Sequence, residues 1–355
     1  LELAGDLTLH GDTEETIVLT TVGGSGDNIV FGGTVGNTDS ESLDLRAGSG
    51  GILQFTGGDA AGLVSVHDLT LTSAASATFS GNVQVNDLMT TASAYPVRLT
   101  GAANTFAAPV NFRNGGKVTL GDASSDDFLF GGGLTATGNP AVELASSVRS
   151  SGDALEFGTG GVTLAADSSV VATADSVPAG GDISFGGTVT DNGGGYDLDL
   201  DAGTAGAIVG KGLSLADLTL TDAVSASFTG DVQVHDLVTT ANAYSVTLTG
   251  ADNTFTTAVD FVSTGTITLG DASTDLFLFG GGLSLSGHAP LEIGATLRTS
   301  GDAVTLGNGG LTLVADTTLD TTNAGNNASG AGISFAGTVT DEANGYDLTL
   351  NAGTG

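Results

Sequence analysis

Cysteine and tryptophan are absent from this 355-residue chain, methionine occurs once, and lysine and arginine together number seven. The missing cysteine excludes a disulfide framework and any thiolate metal centre. Against 40 acidic residues and a formal charge of −33, so few basic ones exclude the cationic footprint that a phosphate backbone needs. The same balance argues against anionic membrane surfaces and leaves cations or basic proteins as charge-matched partners. No apolar run approaches the roughly 18 residues of a membrane-spanning helix, so no such span is expected. No secretory leader opens the chain, and Leu1-Glu2-Leu3-Ala4-Gly5 reads as the middle of a repeat. The chain is therefore expected to be a segment or processed form of something longer.

Helix-surface residues are scarce as well. Aspartate outnumbers glutamate 32 to 8, and 58 residues are glycine. Aspartate and glycine favour turns, whereas glutamate and lysine favour helix surfaces, so helix is not expected. With 40 % hydrophobic and only 13 % charged residues, the chain is also unlike a disordered polyelectrolyte.

What is present is repetition. Gly121-Asp122-Ala123-Ser124-Ser125-Asp126-Asp127-Phe128-Leu129-Phe130-Gly131-Gly132-Gly133-Leu134 returns from Gly270 to Leu283 almost unchanged, 149 residues later. Asp68-Leu69-Thr70-Leu71-Thr72 returns as Asp217-Leu218-Thr219-Leu220-Thr221, and the offset holds to Asp167 and Asp316 before becoming 150 at Ile183 and Ile333. Phe31-Gly32-Gly33-Thr34-Val35 returns unchanged from Phe185 and, with Ala336 in place of the first glycine, from Phe335. Residues 1–67 thus form a partial copy, 68–216 a full one and 217–355 a nearly full one.

Inside the unit, short alternating bursts such as Val118-Thr119-Leu120 and Val246-Thr247-Leu248 give the period-two signal of strands, separated by Gly, Asp, Asn and Ser turns. That rhythm also suits a sandwich or barrel. In-register duplication without a linker does not, because each duplicated sandwich would need its own boundary. The phenylalanines agree: Phe79/Phe228, Phe106/Phe255, Phe112/Phe261, Phe128/Phe277 and Phe130/Phe279 repeat at 149, and only Phe55 and Phe157 have no phenylalanine counterpart. A recurrent inward aromatic is what a stacked core requires. The expected fold is all-β, a parallel β-solenoid built from a super-repeat of 149 to 150 residues and continuous from 1 to 355. Taking roughly 20–25 residues per coil and about 4.8 Å between strands, it has on the order of 15 coils and a length of about 70 Å. The paired phenylalanines are expected inside and the aspartates outside, at turns.

Chemistry-bearing residues are weighed against this scaffold. The histidines are His10, His67, His235 and His288; His235 aligns with Asn86 and His288 with Asn139, which excludes a repeated metal site and reads as polar turn or coil face. No catalytic, cofactor-binding or metal-ligating residue is assigned. Polysaccharide-processing β-helices need carboxylates beside Arg or Lys in a non-repeated groove. Of the seven basic residues only Arg149/Arg298 repeats, and no long loop interrupts the unit, so an enzyme is not expected. Gly23-Gly24-Ser25-Gly26-Asp27 is close to a calcium nonapeptide, but its Asp stands one place early and no second nonapeptide follows. Asp122/Asp126/Asp127 and Asp271/Asp275 are the better oxygen-rich candidates for calcium, with turn formation as the competing account. Thr-x-Thr pairs (Thr70/Thr72, Thr219/Thr221, Thr247/Thr249, Thr266/Thr268) suit ice-binding solenoids only if one pair recurs per coil, and their spacing is irregular.

The strings Ile183-Ser184-Phe185-Gly186-Gly187-Thr188-Val189, Tyr196-Asp197-Leu198-Asp199-Leu200-Asp201-Ala202-Gly203-Thr204 and Leu218-Thr219-Leu220-Thr221-Asp222-Ala223 resemble the filamentous-haemagglutinin-type repeats of large bacterial surface proteins. The likeness spans essentially the whole chain on motifs of low information. It implies a right-handed parallel β-helix, export by a Gram-negative bacterium, an extracellular or cell-surface location, and service as an adhesin, stalk or fibre. No amino-terminal secretion domain of that family is present in the sequence. The functional expectation is a structural segment of such a fibre without catalysis; the alternative is a carbohydrate-binding or polysaccharide-processing β-helix. Expected partners are the chain itself, within a longer polypeptide or stacked head-to-tail, and cell-surface glycans or divalent cations. Neither Leu1 nor the stretch Tyr346–Gly355 carries a polar cap, which is why the stacked form is expected.

Overall fold

The computed structural model describes every residue except 12–14, 22–25, 58–61, 342–343 and 355. The described residues form 44 strands and one single-turn 3-10 helix, Ala174–Ser176. The chain is all-β and forms a β-solenoid of about 14 turns. Its strands fall into two compact units, Leu1–Gly187 and Thr188–Gly355.

In the first unit each coil lays one strand on each of three faces. One face stacks Ile29–Phe31, Ile52–Phe55, Ser76–Phe79 and Val97–Leu99 in parallel register. A second stacks Gln84–Val85, Ala103–Phe106, Asp127–Phe130 and Ser147–Ser150. The third begins with Thr16–Thr20 and Ser42–Arg46 and includes Leu155–Phe157 and Ile183–Phe185. Partners on this third face stand 19 residues apart between Asp68 and Asp87 but 28 apart between Leu155 and Ile183. The longer coil carries the 3-10 turn at Ala174–Ser176. Coil length is therefore set by the corners, while the strands keep their register.

The second unit is built alike. Ser225–Phe228, Ser245–Leu248, Ile267–Leu269 and Leu291–Ile293 stack on one face. Asp252–Phe255, Leu276–Phe279 and Thr296–Thr299 stack on another.

Alternation decides what goes inside. Along Asp127–Phe130 and Leu276–Phe279 the two phenylalanines are fully buried and the residues between them half-buried. Rings stack from coil to coil: Phe31 on Phe55 (4.6 Å between centroids), Phe55 on Phe79 (4.4 Å), Phe106 on Phe130 (4.9 Å) and Phe255 on Phe279 (5.1 Å). Phe55 and Phe157, which lack counterparts in sequence, have them in space, since Phe55 sits between two rings and Phe157 lies 5.1 Å from Phe185. Tyr95 and Tyr244 are buried too, and each hydroxyl donates to a carbonyl one coil back, Leu71 at 2.6 Å and Leu220 at 2.7 Å.

Corners are tight. A Cβ on Gly116 would lie 2.3 Å from the Tyr95 carbonyl carbon, so the chain passes its neighbour there as bare backbone. Gly121 and Gly270, at φ 84° and 73°, take the left-handed conformation that opens the repeated Asp turn.

Equivalent positions of the repeat do not share a face. Within the first unit, Phe31 stacks in the ladder of Phe55 and Phe79, whereas its counterpart Phe185 pairs with Phe157 on the third face. Within the second, Val189 pairs with Leu213, whereas its counterpart Val339 pairs with Leu311 in the ladder of Leu291 and Ile267. The super-repeat is thus not a whole number of coils. Each strand only needs alternating inward apolar residues, so the core accepts the same sequence on any face.

Candidate functional site

The repeated Asp turns are the first place to look for a cation, and the geometry makes them caps. Asp126 is 5 % exposed, and its Oδ2 accepts from the backbone N–H of Asp122 at 2.9 Å and of Ala123 at 3.2 Å. Asp275, 6 % exposed, repeats this with Asp271 (3.1 Å) and Ala272 (3.2 Å). The expectation that the aspartates stand outside is corrected here. These two are inside the turn, because a carboxylate is the acceptor that can satisfy two turn N–H groups at once. Their neighbours are engaged elsewhere: Asp127 pairs with Arg149, and Asp122 lies 3.3 Å from the Arg98 guanidinium. In the second copy Leu276 replaces Asp127, and Arg298 turns instead to Asp320, 3.8 Å away.

The histidines that align with asparagine do the work of asparagine. Asn86 Nδ2 donates to Asp68 at 2.9 Å, and His235 Nδ1 lies 3.1 Å from the equivalent Asp217. Asn139 and His288 both have positive φ, 50° and 60°, in the same turn. The threonine pairs build no flat array, for Thr70 stands between Asp44 and Met89, and Thr268 between Thr247 and Glu292. Of the calcium-like nonapeptide, Gly23, Gly24 and Ser25 lie outside the described residues.

One cluster that the sequence reading did not assemble is present. Among the described residues, the set of three metal-donor side chains whose ligand atoms lie within 4.8 Å of one another is His10, Asp39 and Glu41. His10 follows the strand Leu7–Leu9, and the two acids follow Val35–Asn37, the strand paired with it on the next coil. Glu41 is fully buried, its Oε1 accepting from Gly11 N (2.6 Å) and its Oε2 from Asp39 N (3.2 Å). Burial pushes the Glu41 pKa up, but these N–H donors and the nearby imidazole outweigh it and hold the carboxyl below its ordinary value. The signal in the sequence is a separation of about one coil, 28 residues from His10 to Thr38, which is visible only once coil length is known.

Each unit also carries a shallow groove. In the first unit a groove of about 490 Å³ is bordered by Asn37, Asp39, His67, Gln84, Asn86 and Thr105. In the second, one of about 380 Å³ includes Thr190, Lys211, Ser214, Asp231 and Gln233. Gln84 and Gln233 are repeat counterparts. No aromatic side chain lines either groove, but the second brings Lys211 and Asp231 to one place. Five of the seven basic residues, Arg46, Arg98, Lys117, Arg149 and Arg298, are spent in ion pairs.

No family model matches this chain, and no curated protein and no solved structure matches it.

Proposed function

We propose that this chain is a structural segment of an extracellular fibre, stalk or adhesin on a bacterial surface, in which the coils bear length and load and no chemistry is catalysed. The observation that carries this reading is the commitment of nearly every turn to coil-to-coil stacking, with aromatic ladders inside and ion pairs outside. The likeness of its strings to filamentous-haemagglutinin-type repeats supports the same location. Strands pair coil on coil in parallel register through the chain, and the same pairing suits a further coil of the same unit, within a longer polypeptide or from a second copy stacked head-to-tail. The charge of −33 would keep neighbouring fibres apart at low salt and let divalent cations draw them together.

Antibody against the chain should label the outside of intact producing cells, and electron microscopy of native material should show thin unbranched fibres. Labelling that appears only after lysis sinks the reading. A second reading, carbohydrate binding, is favoured by the two amide- and hydroxyl-lined grooves. Saturable binding on a glycan array, abolished by Gln84→Ala or Gln233→Ala, would decide for it.

A further inference from the structure

We propose that His10, Asp39 and Glu41 form a binding site for one first-row divalent metal ion of the zinc class, tying two adjacent coils together. This does not depend on the fibre reading. The set mixes one imidazole with two carboxylates, a donor combination suited to zinc and poorly matched to calcium or magnesium, which prefer oxygen alone.

Three features of the molecule support it. First, the ligands come from two coils at a fixed offset. Leu9 pairs with Asn37, so His10 and Thr38 face each other across the corner, with His10 Nδ1 2.8 Å from Thr38 Oγ1.

Second, the Thr38 hydroxyl bridges two of the donors, lying 2.8 Å from His10 Nδ1 and 3.3 Å from Asp39 Oδ2, and so holds the imidazole beside the carboxylate, the kind of outer-shell contact that orients ligating histidines.

Third, Glu41 is a fully buried anion beside another carboxylate. None of the ion pairs formed among the described residues includes it or Asp39. The Glu41 oxygens are capped by the Gly11 and Asp39 N–H groups, and a cation held with Asp39 and His10 adds the counter-charge that no lysine or arginine provides. The donor atoms lie within 4.8 Å of one another, and rotation of the exposed His10 and Asp39 side chains about the fixed Glu41 would bring them to the roughly 2.0–2.2 Å of zinc ligation. Asp39 also borders the groove of the first unit.

The test is zinc titration of the untagged, metal-stripped full chain by calorimetry, with excess magnesium present to occupy the general acidic surface. One stoichiometric zinc site is expected, together with a rise in melting temperature at one equivalent. His10→Ala, an exposed position that leaves the strands intact, and Asp39→Asn should each weaken zinc binding about tenfold or more. They should also abolish the melting shift while leaving the metal-free melting temperature unchanged. Glu41→Gln is a poorer probe because it alters a buried cap. The absence of a stoichiometric zinc site, or zinc bound equally well by the His10→Ala chain, overturns the proposal.

Discussion

At the scale of single residues the structure separates side chains that sequence repetition treats alike. Phe130 and Phe279 are fully buried, each stacked on a ring of the preceding coil. Replacing either with alanine is expected to cost about 3–5 kcal/mol, read as a loss of unfolding free energy in urea. The aspartates of one turn diverge. Asp126→Ala leaves two backbone N–H groups without an acceptor and is expected to cost about 1–3 kcal/mol. Asp122, exposed and paired only with a half-exposed arginine, is expected to cost less than about 1 kcal/mol as alanine. Equal losses from the two variants would contradict the capping role.

At the scale of elements, the corners are held by buried polar hooks whose ionisation couples to folding. Burial pushes the Tyr95 and Tyr244 hydroxyls up from their ordinary value, against the partial opposition of hydrogen bonds from Thr91 and Thr240. A folded-state pKa above the unfolded value means the stabilisation is complete below the unfolded pKa of about 10 and disappears as pH rises through the folded one. Melting temperature should therefore fall above about pH 10, and the Tyr95→Phe/Tyr244→Phe double variant should lose less of it there. Asp191 shows the opposite sign. Burial raises its pKa, but N–H groups of Gly193 (2.8 Å), Gly195 (2.7 Å) and Tyr196 (3.1 Å) prevail and hold it low. Its contribution is present above the unfolded value near about 4 and is lost as pH falls through the folded one. Acid titration of the Asp191→Asn chain should show a shallower loss than the parent below about pH 4.

For the whole molecule, parallel coils with hardly any helix fix the spectroscopic expectation. Far-ultraviolet circular dichroism should show a β spectrum with no helical minimum at 222 nm; a substantial one would contradict the fold. Calcium is expected to act only through charge screening, since the Asp turns are filled by backbone donors. Melting temperature should rise equally with millimolar calcium and magnesium. A rise specific to calcium would show that a carboxylate cluster holds that ion.

The sequence by itself determined the class of fold and the identity of the core. The alternation around Phe128 and Phe130, the scarcity of lysine and glutamate, and a 149-residue offset held from Asp68 to Asp167 leave a stacked parallel architecture as the solution that uses them all. The readings of His235 and His288 as polar positions also came from the sequence, because their counterparts are asparagines. Only the tertiary structure decided which strands meet. Coil length varies with the corners, from 19 to 28 residues on one face, and these corner lengths are not encoded in the alternation that identifies strands. That is why Phe31 and Phe185 come to lie on different faces, whereas Asp126 is a buried cap because its own turn folds its carboxylate onto two N–H groups. It is also why His10 meets Asp39 and Glu41: residues distant in sequence are brought together by the circumference of one coil, and that circumference is set by packing.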